Sequence, residues 1–126
     1  MKIKRATPVL FLDRVEPTRD FFKRVGFEVT VEVPAGGGVG FALLEKDGVQ
    51  VMLETRDNEN EASAARSLMK QSQRAGVFVE VDDLNEVIAA LAGAKVLVPR
   101  HKTFYGADEQ GYEEPGGNLV TFAQFA

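Results

Sequence analysis

The chain has 126 residues, with 15 Lys and Arg against 19 Asp and Glu, a net charge of -4 and no cysteine. That size suits one domain burying roughly two thirds of its unfolded surface, room enough for a core and a pocket. The acidic balance disfavours nucleic acid and anionic membrane as partners, and the absence of sulfur nucleophiles removes disulfides, thiolate catalysis and Cys-ligated metals.

Met1 to Leu12 opens with the basic step K-I-K-R and continues as a strand predicted over Ile3 to Leu12. The apolar run ends at Asp13 with no cleavage-like site, and no segment approaches the ~20 apolar residues of a membrane span, so the chain reads as cytoplasmic. Asp13 and Glu16 then form an Asp-x-x-Glu step that suits a helix start, with a helix predicted over Pro17 to Val25 and Phe21, Phe22 and Val25 on its core face. Gly26 stands where that helix must stop in a left-handed turn. Phe27 to Val33 alternates as a half-buried strand, with Glu28, Thr30 and Glu32 on its wetter side. Pro34 to Gly38 is a turn that joins strands and opens no helix, so it is not a phosphate cradle. Val39 to Glu45 and Val49 to Glu54 read as a hairpin about Asp47-Gly48.

Composition then shifts. Thr55 to Arg74 is polar, with a short helix predicted around Ala62 to Lys70, and it reads as a linker (residues 56–74) between a first module (1–55) and a second (75–126) within a single domain. The second module repeats the first. Asp83 and Glu86 recur seventy positions after Asp13 and Glu16, behind a strand at Val77 to Val81 and ahead of a helix over Leu84 to Leu91 whose core stripe is Val87, Ile88 and Leu91. Gly93 ends that helix, and strands follow near Lys95 to Val98, Thr103 to Tyr105 and Leu119 to Ala123, with Gly106 and E-E-P-G-G-N punctuating a long hairpin.

The duplicated unit, the G-F-E-V after the first helix, the V-D-D-L at the second, the T-F-Y-G segment and the closing E-P-G-G-N-L-V-T-F together resemble the vicinal oxygen chelate superfamily, which contains glyoxalase I, extradiol dioxygenases and bleomycin-resistance proteins. The likeness covers nearly the whole chain, through short motifs that are specific only as an ordered set. It implies an α+β fold of two βαβββ modules whose curved mixed sheets enclose a cup, and commonly a homodimer. The catalytic branches resemble one another in a metal site of His, Glu or Gln side chains. Carried over by position, two of those ligands fall on Ala6 and Gly76 and a fourth on Thr121, while the third falls in Val49 to Glu54, where Gln50, Met52 and Glu54 share a face. A catalytic divalent site needs about three protein ligands, so the chain is closest to the metal-free, ligand-sequestering branch that resembles the bleomycin-resistance proteins, with no metal, no cofactor and no catalytic residue expected.

The other candidates each carry a plain alternative. Phe104, Tyr105 and Tyr112 gather with Glu109 in a segment that the resemblance puts at the mouth of the cup; they suit a planar or cationic ligand, or they pack the hairpin against its sheet. Glu80 shares a strand face with Phe78, and both it and Glu54 read as rim carboxylates exposed to water. His101, the single histidine, sits in the basic step P-R-H-K and reads as a surface residue of a loop. Serines fall only in the linker, away from any histidine relay, which excludes serine hydrolase chemistry. The reading is therefore a binding protein for a small aromatic or cationic molecule, possessing antibiotic- or metabolite-sequestering character, with Gln50, Met52, Phe78, Phe104, Tyr105, Glu109, Tyr112 and Thr121 as ligand contacts. The alternatives are a metal-dependent lyase, dioxygenase or transferase of the same superfamily, and a regulatory or structural dimer without a dedicated ligand.

Overall fold

The computed structural model describes residues 1–57 and 74–126, so the helix expected around Ala62 to Lys70 lies outside the described residues. The chain divides into two compact units, Met1–Gln73 and Arg74–Ala126. Each is a βαβββ unit with one mixed sheet, as the internal repeat predicts.

The first unit comprises β1 (Val9–Leu12), α1 (Val15–Arg24), β2 (Glu28–Ala35), β3 (Gly38–Lys46) and β4 (Val49–Thr55). Its sheet runs β1-β4-β3-β2, with β1 parallel to β4 and the other pairs antiparallel. The parallel pair requires a crossover, and α1 supplies the first part of it, packing on β3 and β4. Leu10, Leu12, Val15, Phe22, Ala42, Leu44, Val51 and Leu53 are all at most 1% exposed, so alternate residues of three strands meet the helix. Phe22 stacks edge-on against Phe21 and Phe27 at 5.4 and 5.3 Å, which places the paired phenylalanines of the sequence in the core.

Three local details depart from the sequence reading. Asp13 does not cap α1: Arg14 occupies that position with no side-chain bond, and Asp13 instead meets Arg56 at 3.3 Å. The first strand is confined to Val9–Leu12, where its register with β4 begins just after the Pro8 carbonyl accepts from the Met52 N–H at 2.9 Å. A bulge between Val29 and Val31 interrupts the alternation of β2, so Glu28 pairs with Glu45 on the face away from α1 while Glu32 pairs with Ala42 on the helix side and binds Arg19 at 2.7 Å. The predicted turns hold. Asp47 and Gly48 both take positive φ (51 and 78), the conformation that a two-residue hairpin demands.

The second unit comprises β5 (Gly76–Glu80), α2 (Leu84–Ala90), β6 (Val96–Lys102), β7 (Ala107–Glu113) and β8 (Leu119–Phe125), in the sheet order β5-β8-β7-β6. Here Asp83 does cap its helix, accepting a hydrogen bond from the Asn85 N–H at 3.0 Å. Gln124 Oε1 accepts another from the Leu84 N–H at 2.8 Å, tying the helix start to β8. Leu84, Val87, Leu91, Tyr112, Val120 and Phe122 are buried as its core, with Ile88 only half-buried. The E-E-P-G-G-N segment is a turn built around Glu114, which is 1% exposed and accepts from the Gly116 and Asn118 N–H groups at 2.7 and 2.9 Å and from Asn118 Nδ2 at 2.8 Å. Among the described residues no helix is long and apolar enough to cross a membrane.

Candidate functional site

In the second unit the sheet face opposite α2 carries the chemistry. Strand register aligns Phe78, Thr121, Gly111 and Val98 in one row across the sheet, and Glu80, Ala123, Glu109 and His101 in the next. Phe78 lies 6.4 Å from Phe125, Phe125 lies 6.1 Å from Tyr105, and Tyr105 lies 5.1 Å from Phe104, which makes a continuous strip of four rings. All four are exposed, at 52%, 40%, 46% and 101% in that order. Burying an aromatic side chain is worth several times the thermal energy, so a strip left open to water is unusual and makes this face the candidate binding surface.

Glu109 lies at the centre of this face and is buried to 9% exposure. The Tyr105 hydroxyl donates to its Oε2 at 2.6 Å, and His101 Nε2 stands 3.5 Å from its Oε1. The carboxylate holds the Tyr105 phenol above its ordinary pKa, chiefly through that hydrogen bond and then through burial, so the proton stays on the tyrosine. The turn that aims Tyr105 is locked by Thr103, whose backbone and side chain both bond Ala107, and by Gly106 at φ 88. Residues 103–105 therefore form a turn and not the strand that their composition predicts. Along β6, a bulge between Val98 and His101 spans Pro99, which has no N–H to give to the ladder, and it keeps Val98 and His101 on one face although they are three residues apart.

His101 is accordingly a strand residue beside a buried carboxylate, and its reading as a loop histidine is corrected. One signal for this was present: His101 and Glu109 lie symmetrically about Tyr105, so a hairpin that turns there must pair them. Tyr112 does not join the group. It sits on the helix side of β7, 1% exposed, with its ring 6.0 Å from Phe122 and its hydroxyl accepting from Gln110, because neighbours along a strand alternate faces and 112 is an odd number of steps from 109. Phe78 and Thr121 pair across β5 and β8 on the Glu109 face. Glu80 is exposed on that same face, as its rim reading predicts.

On the first unit, Gln50, Met52 and Glu54 share the face of β4 that looks away from α1. Gln50 is committed to its own surroundings, accepting from Arg5 at 3.2 Å and donating to Glu45. Glu54 is 7% exposed, so its reading as a water-exposed rim carboxylate is corrected; β4 is an inner strand of the sheet, and Glu54 stands in register with Phe11 on one side and Phe41 on the other. Among the described residues no three His, Asp or Glu side chains converge as metal donors. Gly76 opens β5 and Thr121 lies in β8, so neither position aligned with the superfamily's metal ligands supplies an imidazole or a carboxylate.

No curated protein matches the chain. Its fold is similar to that of TioX from Micromonospora sp. ML1, at 24% identity and a TM-score of 0.76 over 97% of this chain and 100% of that one. It is also similar to a lactoylglutathione lyase from Agrobacterium tumefaciens, at 15% identity and a TM-score of 0.72 over 98% of this chain and 95% of that one. A bleomycin-binding protein complexed with bleomycin shares the fold at 16% identity and a TM-score of 0.67, over 98% of this chain and 100% of that one. The family model for the Glyoxalase/Bleomycin resistance protein/Dioxygenase superfamily matches residues 3–122, and the chain belongs to that superfamily.

Proposed function

We propose that this chain is a metal-free small-molecule-binding protein, a cytoplasmic homodimer that sequesters a planar, cationic drug or metabolite. The observation that carries the reading is the exposed aromatic strip of Phe78, Phe125, Tyr105 and Phe104 around the buried Glu109. Rings give contact area for a flat ligand, and a carboxylate on the same face favours positive charge. Phe78, Phe104, Tyr105, Glu109 and Thr121 are the contacts in this reading; Gln50 and Met52, on the corresponding face of the first unit, are proposed for the same class of ligand. Two of the solved relatives span the choice, one a lactoylglutathione lyase and one a bleomycin-binding protein complexed with bleomycin, and the donor set at Ala6, Gly76 and Thr121 supports the second. The buried Glu54 is the feature that favours a metal-dependent lyase, dioxygenase or transferase as the second reading. The exposed valines of β2 (Val31, Val33) and the Val96-Leu97-Val98 run of β6 support a dimer, since both strands are sheet edges. The two modules, 1–55 and 75–126, act as one domain in this reading.

The test is a thermal-shift screen of planar cationic compounds, followed by titration of each hit against the parent and Tyr105→Ala. The variant is expected to bind about ten- to a hundredfold more weakly with the fold intact, the scale of losing a buried aromatic contact. Equal affinity for every hit would move the site elsewhere, and an absence of hits would favour a regulatory or structural dimer.

A further inference from the structure

His101 Nδ1 lies 2.9 Å from the Pro99 carbonyl oxygen. A carbonyl can only accept, so the ring carries its proton on Nδ1 and, when neutral, presents a bare lone pair at Nε2. That lone pair stands 3.5 Å from Glu109 Oε1. The other carboxylate oxygen, Oε2, already takes the Tyr105 hydroxyl at 2.6 Å, so the carboxylate is held in one orientation with Oε1 turned to the histidine. Two acceptors of different residues therefore face one another across a gap that neither can close without an added hydrogen. His101 is 44% exposed at its side chain and Glu109 11%, so the gap is reached from the histidine side, beside the ring of Tyr105.

We infer that the His101 and Glu109 acceptor pair is a binding subsite for an N–H donor group, and that the ligand is an aromatic cation bearing a primary amine or amidinium that donates to both atoms. This deepens the proposed function and rests on it. A proton on Nε2 competes with the ligand for the same gap, because an imidazolium donates directly to Glu109 and cancels its charge. Binding then releases that proton, so affinity rises with pH. The remaining charged groups nearby do not supply this effect. Asp108 is held by Arg100 on the helix side of β7, with its carboxyl pushed below the ordinary range by that hydrogen bond. Lys102 pairs with Asp108 along the ladder, and Glu80 is separated from Glu109 by Ala123.

The experiment titrates the full chain with proflavine, a planar cation with two primary amines, and with acridine orange, which has the same ring and charge but dimethylated amines, by fluorescence anisotropy at pH 5 and pH 8. The parent is expected to bind proflavine about tenfold more tightly at pH 8 than at pH 5, the scale of one charge-assisted hydrogen bond, and to prefer it to acridine orange at pH 8. His101→Gln should lose both the pH dependence and the preference while still binding each dye; Tyr105→Phe should keep the ring contact and weaken the preference. If His101→Gln keeps the parental pH profile and preference, the acceptor pair is refuted while the aromatic site stands. Failure of the parent to bind either dye at either pH overturns the subsite and the planar-cation reading together.

Discussion

Asn118→Ala tests whether the E-P-G-G-N segment is structural. Asn118 is 2% exposed and makes two bonds through its side chain: Oδ1 accepts from the Ala75 N–H at 2.8 Å, and Nδ2 donates to Glu114 Oε1 at 2.8 Å. The first ties the start of β5 to the turn before β8, where Leu119 N–H returns a bond to the Ala75 carbonyl at 3.0 Å. The second neutralises part of a carboxylate that is 1% exposed. Alanine removes both, leaving the Ala75 N–H short of its acceptor and Glu114 Oε1 with the Asn118 backbone N–H alone of these two donors. A buried polar group deprived of its partner costs about 1–3 kcal/mol; Ala75 is exposed and its N–H can turn to water, so the loss comes mainly from the buried Glu114 and is about 1–3 kcal/mol. In a chain of this length that corresponds to a fall in Tm of roughly 4–12 °C. Differential scanning calorimetry of the parent and variant reads it directly. Asn118→Asp refines the test, because it keeps the acceptor for Ala75 while setting a carboxylate against Glu114; its loss should be largest near neutral pH and should shrink as the pair takes up a proton. A fall of less than 2 °C in Asn118→Ala would refute the account of this turn.

The protein is expected to sediment as a homodimer at micromolar concentration, and a strictly monomeric species at all concentrations would remove the role assigned to the β2 and β6 edges. Elemental analysis after dialysis should find no stoichiometric zinc, nickel, iron or manganese, and one tightly held ion per chain would restore the enzyme reading. Asp108 and Glu113 both have carboxyls lowered by a basic partner, Arg100 and Lys95 respectively, so their contribution to stability is present above the ordinary carboxylate range of about 4 and is lost as pH falls through their folded values. Asp108→Asn should therefore lower the neutral plateau of a Tm-against-pH curve and converge with the parent below pH ~4, so that its acid limb is flatter; an unaltered acid limb would show that the Arg100 pair adds nothing to folding.

Much of the architecture was legible because it is written in local chemistry. Gly26 and Gly93 take φ 96 and 85 where each helix stops, conformations that cost a side chain dearly, and Asp47-Gly48 closes its hairpin for the same reason. The repeat of strand, acidic step and amphipathic helix carried the two βαβββ units, since apolar periodicity alone decides which face of each element is buried. Where the pattern failed, a long-range partner had overruled it. Asp13 lost its cap role to Arg56, a residue far along the chain. The bulges in β2 and β6 changed which residues share a face, and a bulge is a mismatch between two strands that neither strand records by itself. Tyr112 and Tyr105 fall in one aromatic segment of the sequence, yet Tyr105 in its turn bonds Glu109 while Tyr112 is buried on the helix side of β7, and Glu54 reads as a rim residue until Phe11 and Phe41 stand in register beside it. The candidate site follows the same rule. Its residue types, an aromatic-rich segment with a carboxylate, are visible in the chain, but the approach of His101 to Glu109 depends on the register of β6 against β7, which is set by the whole hairpin and its turn.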